Sequence, residues 1–166
     1  CVNSGAITAH EGERTGGVAG SCDGSISDCH NSGDVSGPAT VGGVVGDASD
    51  SSVERCTNSG AVSGSTVGGI VAIAGGTILN CVNSGAVSTP NDGWEAGGIV
   101  GYVWNGMIMN CANSGAVSGT DGSSCVGGLV GWCADGELLN NVNYGAVMGP
   151  SCVGGLVGFI DTGSMV

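Results

Sequence analysis

The side chains with chemical capacity in this chain are nine cysteines, fourteen carboxylates, two histidines, two arginines and a few aromatics. Nucleophilic catalysis needs a nucleophile and a base within hydrogen-bond reach. His30 directly follows Cys29, and successive strand residues point to opposite faces, so that pair does not meet. His10-Glu11 lacks the second histidine of a His-Glu-x-x-His zinc motif. His10, Cys22, Cys29 and His30 match no familiar zinc spacing. No catalytic residue, no enzyme activity and no resident metal is therefore expected. The carboxylates are better placed for a cation. Asp47 with Asp50, Asp92 with Glu95, and Asp135 with Glu137 stand among turn residues, where calcium could bridge them. No EF-hand loop or nonapeptide calcium repeat is present. The plainer expectation is a set of solvated turn residues that keep the surface soluble, with calcium as the one cofactor left open.

The aromatic residues Trp94, Trp104, Trp132, Tyr102 and Phe159 offer apolar contact. Tyr102, Trp132 and Phe159 fall at equivalent places just after an apolar run. They suit either a stacked strip that grips a sugar or a partner protein, or a cap over the core at a corner. Asp92, Trp94 and Glu95, with Asp121, sit in two segments longer than their counterparts, and are the candidate variable surface. The candidate binding set is thus Asp92, Trp94, Glu95, Tyr102, Trp132 and Phe159.

Composition narrows the partners. The chain has 166 residues and a formal net charge of −12, with Arg14 and Arg55 as its only basic side chains apart from histidine. Nucleic acids and anionic membrane surfaces need Lys and Arg to displace counterions, so both are set aside. The absence of lysine also excludes a Gly-Lys-Ser/Thr phosphate loop. Glycine supplies 36 residues without a three-residue period, which excludes collagen. The longest apolar stretch, Val67 to Leu79, is interrupted by glycines and falls short of the roughly 20 residues a membrane helix needs.

The elements that must position these groups are written as a sixfold repeat. A glycine pair followed by apolar residues starts at Gly16, Gly42, Gly68, Gly97, Gly127 and Gly154, as in Val41-Gly42-Gly43-Val44-Val45-Gly46. A second block follows each one, as in Cys56-Thr57-Asn58-Ser59-Gly60-Ala61-Val62-Ser63. Glycine disfavours helix by about 1 kcal/mol per residue, whereas short Val/Ile runs between Gly, Asn, Asp and Ser read as strands. Periods of this length signal solenoids or propellers. Three strands per repeat are expected, near Gly60–Ser63, Val67–Ala72 and Thr77–Cys81. Alternation fails through Gly-Gly-Ile-Val, which reads as a bulge or as a strand buried on both faces. The class is all-β: a β-solenoid of about six coils, one domain over residues 1–166.

Coils stacked about 4.8 Å apart place equivalent letters above one another. Four columns follow. Asn3, Asn31, Asn58, Asn83, Asn113 and Asn143 form an amide ladder at a bend. Glycines two residues later, such as Gly60, supply a positive φ there. Ile7, Val35, Val62, Val87, Val117 and Val147 fill the interior. So do Val18, Val44, Ile70, Ile99, Leu129 and Leu156, and Ile26, Val53, Ile78, Ile108, Leu138 and Met165. Cys1, Cys29, Cys56, Cys81 and Cys111 form a further column, continued by Asn141, and read as a stack of buried thiols. Cys125 and Cys152 both precede Val-Gly-Gly in adjacent coils, where either a disulfide or two free thiols fits.

The segments Val126-Gly127-Gly128-Leu129-Val130-Gly131 and Val153-Gly154-Gly155-Leu156-Val157-Gly158, with Asn80-Cys81, Asn110-Cys111 and the Asn-Ser-Gly blocks, resemble the GLUG motif, a repeat of large bacterial surface proteins that include adhesins and some IgA-cleaving metallopeptidases. The resemblance implies an extracellular or cell-surface setting and a right-handed coil. It implies no reaction, because those peptidases carry their zinc motif outside such repeats. The expected role is structural: a stalk, fibre or adhesive surface. The chain starts inside one repeat and stops at Val166, just before the next. It is therefore expected either to be part of a longer array or to stack end to end into a filament. A glycan- or host-protein-binding module is the second expectation.

Overall fold

A computed structural model describes residues 1–90, 92–120, 122 and 125–165. Asp121 and Val166 lie outside the described residues. Among those described there is no helix, and hence none long and apolar enough to cross a membrane. Every strand pairing is parallel and joins one coil to the next, giving a β-solenoid of about six coils.

Registry follows the repeated letters. Val62 pairs with Val35 below and Val87 above. The asparagines pair in order from Asn3 to Asn143. Ile26, Val53, Ile78, Ile108, Leu138 and Met165 do the same. The column from Val18 to Leu156 lies between strands and is joined by backbone bonds such as Val44 N–H to Ile70 O at 2.9 Å.

The coil has more sides than expected. The third coil contains five short strands, Thr57–Asn58, Val62–Ser63, Thr66–Gly68, Val71–Ala74 and Thr77–Leu79, in place of three. The run Val67–Ala72 is neither a bulge nor one strand. It bends at Gly69-Ile70 between two sheets, which explains the broken alternation. In the fourth and fifth coils the last two strands merge into Val100–Met109 and Val130–Leu139, with register shifts around Trp104.

Two apolar compartments result. One holds Val41, Val62, Val67, Val87, Ala96 and Val117; the other holds Val44, Val45, Ala48, Val53, Ile70, Ile78 and the cysteines Cys29, Cys56, Cys81, Cys111 and Cys133. The chain passes from the first to the second at Gly42-Gly43 and returns past Asn58. The glycine pair and the asparagine therefore form a waist between the compartments. At Gly69 a Cβ would run into Gly98 O and come within 2.5 Å of Asn83 Cγ. The second glycine of the pair is therefore needed to let the next coil's Asn reach the waist.

Each buried Asn is satisfied in two directions. Asn58 Nδ2 donates to Gly60 O at 2.9 Å and to Asn83 Oδ1 at 2.8 Å. The topmost amide, Asn143, donates to Gly155 O instead. The expectation of a positive φ at the following glycines is corrected. Gly60 is not in that region; a side chain there would collide with Gly33 O of the coil below. The left-handed corner is carried by Asp28, Arg55, Asn80, Asn110 and Asn140, with φ of 50–54°. Asn and Asp tolerate that region better than other non-glycine residues. At Arg55 the guanidinium is tied to Asp28 of the coil below, Nε–Oδ1 2.8 Å.

Candidate functional site

The cysteine column is a ladder of free thiols, buried from Cys29 to Cys111. Cys81 Sγ bonds to Leu79 O at 3.4 Å in its own coil and to Val53 O at 3.5 Å below. Asn141 keeps the pattern with an amide: its Nδ2 donates to Ile108 O and its Oδ1 accepts from Cys111 N–H, both at 2.8 Å. Contact with Cys81 and burial push the Cys56 thiol up, which keeps it protonated. These groups hold the wall together.

A groove runs along the solenoid on the outer side of the glycine corner. One bank is the column Arg14, Thr40, Thr66, Glu95 and Cys125, paired coil to coil, with Cys152 next above. The other bank is Ser21, Asp47, Ile73, Tyr102, Trp132 and Phe159. At its lower end Arg14 Nε meets Asp47 Oδ2 across the groove at 2.6 Å. In the middle, a cavity of about 300 Å³ is lined by Thr66, Ile73, Trp94, Glu95, Tyr102 and Trp132. Above it, a wider hollow of about 500 Å³ involves Cys125, Trp132, Cys152 and Phe159.

The chemistry of the middle cavity is mixed. Trp94 stands on the rim, 64 % exposed, while Glu95 beside it is buried at 5 %. Glu95 opens a strand, Glu95–Gly97, so the expectation of a solvated turn carboxylate is corrected. Its Oε2 accepts from Thr66 Oγ1 at 2.7 Å. Burial raises its pKa above the ordinary carboxylate value, outweighing the Thr66 hydrogen bond. The Tyr102 and Trp132 rings meet at 83° with centroids 6.1 Å apart, and Trp132 meets Phe159 at 75° and 5.2 Å. Trp132 Nε1 is buried with no hydrogen-bond partner among the described residues.

The structure thus brings together Trp94, Glu95, Tyr102 and Trp132, with Phe159 one coil higher. Asp92 is exposed, with φ of 64°, and does not line the cavity. The aromatic column faces this groove and does not cap a core corner. Trp104 is elsewhere, over Gly75 of the coil below. Cys125 and Cys152 are neighbours in adjacent coils and carry free thiols, not a disulfide. Burial pushes Cys125 up to about 12. Asp47 lies in the strand Val45–Ala48, engaged by Arg14 and by Ser49 Oγ at 2.6 Å. Asp135 and Glu137 lie in a strand rather than a turn, beside a separate surface hollow with Asn105 and Gly136. Among the described residues no three His, Cys, Asp or Glu side chains converge as a metal site would require. Thr66 and Ile73 escaped the sequence reading because their columns hold no single letter through the stack. The signal that finds them is position: two residues before the glycine pair, and five after its first member.

The GLUG motif matches residues 37–63 and 92–118. Two stretches of the chain are thus similar to that motif. Each match covers one turn, from the groove rim through the glycine corner and the cysteine to the Asn-Ser-Gly block, and the second includes Trp94, Glu95 and Tyr102. Comparison with curated proteins finds no match, and neither does comparison with solved structures.

Proposed function

We propose that this GLUG solenoid is a structural segment displayed outside the cell, a rigid acidic stalk, fibre or adhesive surface. The observation that carries the reading is unbroken registry: the same amide and aliphatic columns run through the stack. Such a ladder ties each coil to its neighbours, and stability grows with neighbour contacts while a lone coil cannot bury its own faces. The resemblance to bacterial surface repeats supports the location, and the charge of −12 without lysine supports a hydrated surface.

Stacking on further repeats, whether of the same chain or of another copy, belongs to the same reading. Immunogold labelling of intact source cells, with electron microscopy of the labelled material, tests the proposal. Label on the outer surface, on rods that gain about 29 Å per six coils, is the expected result. Label found only after the cells are opened overturns it.

A further inference from the structure

The groove treats two buried acids differently. Asp47 has Arg14 across from it. Glu95, two coils higher and 5 % exposed, has Thr66 alone, and no hydrogen bond to its Oε1 is formed among the described residues. Neither arginine is free to reach it, because Arg14 is held by Asp47 and Arg55 by Asp28 and Glu54. A buried carboxylate without a countercharge is costly. A cation entering the cavity in front of it would supply the missing countercharge.

The walls say which kind. Tyr102 and Trp132 stand nearly perpendicular and form a corner, with Trp94 exposed at the rim and Ile73 below Tyr102 on the same bank. A sugar ring stacks on a flat shelf of coplanar rings, whereas a compact cation fits a corner between π-faces. A primary ammonium places three directed N–H donors, which the Glu95 side of the cavity could accept, but the three rings and Ile73 that make up the rest of the lining offer methyl contact instead. A quaternary ammonium has no N–H to satisfy. The volume of about 300 Å³ is at the small end of ligand pockets.

We infer that this cavity binds a trimethylammonium group, with Glu95 facing the charge and Trp94, Tyr102 and Trp132 packed on the methyls. The site is independent of the rod's structural role. Failure of the binding test leaves surface display untouched, and rods found inside the cell leave this cavity untouched.

The test is calorimetric titration of the whole chain with choline and with its uncharged isostere 3,3-dimethyl-1-butanol. Saturable choline binding is expected, with the isostere at least about tenfold weaker because it lacks the charge. Trp94→Ala removes an exposed ring, so it should keep the unfolding curve and weaken choline at least about fivefold. Glu95→Gln should abolish the preference for choline over the isostere. No saturation by about 50 mM choline overturns the proposal, since that is weaker than any specific site of this size. Equal affinity for the isostere reduces the cavity to an apolar hollow. A neutral oligosaccharide such as cellohexaose binding more tightly than choline makes it a sugar site. Each of these results rejects the ammonium assignment.

Discussion

The waist and the groove are both built around the glycine pair, and they follow opposite rules. At the waist the letters repeat: Gly against Asn, coil after coil, with one amide bonded to the next. Along the groove no letter runs through the stack, and the chemistry passes from an ion pair at Arg14 and Asp47 to an aromatic corner at Tyr102 and Trp132. Repetition is needed where one coil's partner is the same group in the next coil. Where partners come from solvent or from a ligand, each level is free to differ. Uniform columns hold the stack in register, and variable columns carry whatever is particular to this protein.

The sharpest way to break that contrast is at the waist. Gly69→Ala places a methyl against Gly98 O and the Asn83 amide, and backbone cannot yield as a flexible side chain would. A loss above about 4 kcal/mol, or failure to fold, is expected from overpacking at this point. Chemical denaturation followed by circular dichroism measures it. A near-neutral result would mean the waist is loose and the comparison empty.

Removing the amide is the next largest effect. Asn83→Ala strips the bonds to Gly85 O and Asn113 Oδ1, at 2.8 and 2.9 Å, and strands the Asn58 amide that donates to it at 2.8 Å. Unpaired buried polar groups cost about 1–3 kcal/mol each, so a loss of roughly 3 kcal/mol is expected in the same denaturation experiment. A loss under about 1 kcal/mol would show that water replaces the ladder without penalty.

The same contrast explains what could be read from the sequence. The coil, its registry and its amide and thiol columns are written in repeated letters, so Asn58 could be placed over Asn31 before any coordinate was known. The number of sides could not, because a glycine corner and a straight Gly-rich strand share one spelling at Val67–Ile70. Nor could the groove's first bank. Arg14, Thr66, Glu95 and Cys125 have no common chemistry, and only their distance from the glycine pair aligns them. Glu95 looked like a solvated loop carboxylate because Trp94 and Gly93 precede it. Its burial comes from the coils above and below, which is a property of stacking.

The smallest expected effect sharpens the groove side of the comparison. Burial raises the Glu95 pKa above the ordinary carboxylate value, so the folded state holds this proton more tightly than the unfolded chain does. With more protons bound in the folded state, stability falls as pH rises from the ordinary carboxylate value through the raised one, then stays level. Cys125, the next group in the column, is pushed up to about 12 and stays neutral throughout that window. Glu95→Gln has no proton to lose. Its stability relative to the native chain should therefore climb between acid and neutral pH, and thermal melts of both proteins at several pH values would record it. Saturating choline should erase much of the difference at neutral pH, because a bound cation restores the charged carboxylate's partner. A difference that stays flat with pH would place Glu95 in contact with water and remove the asymmetry between it and Asp47.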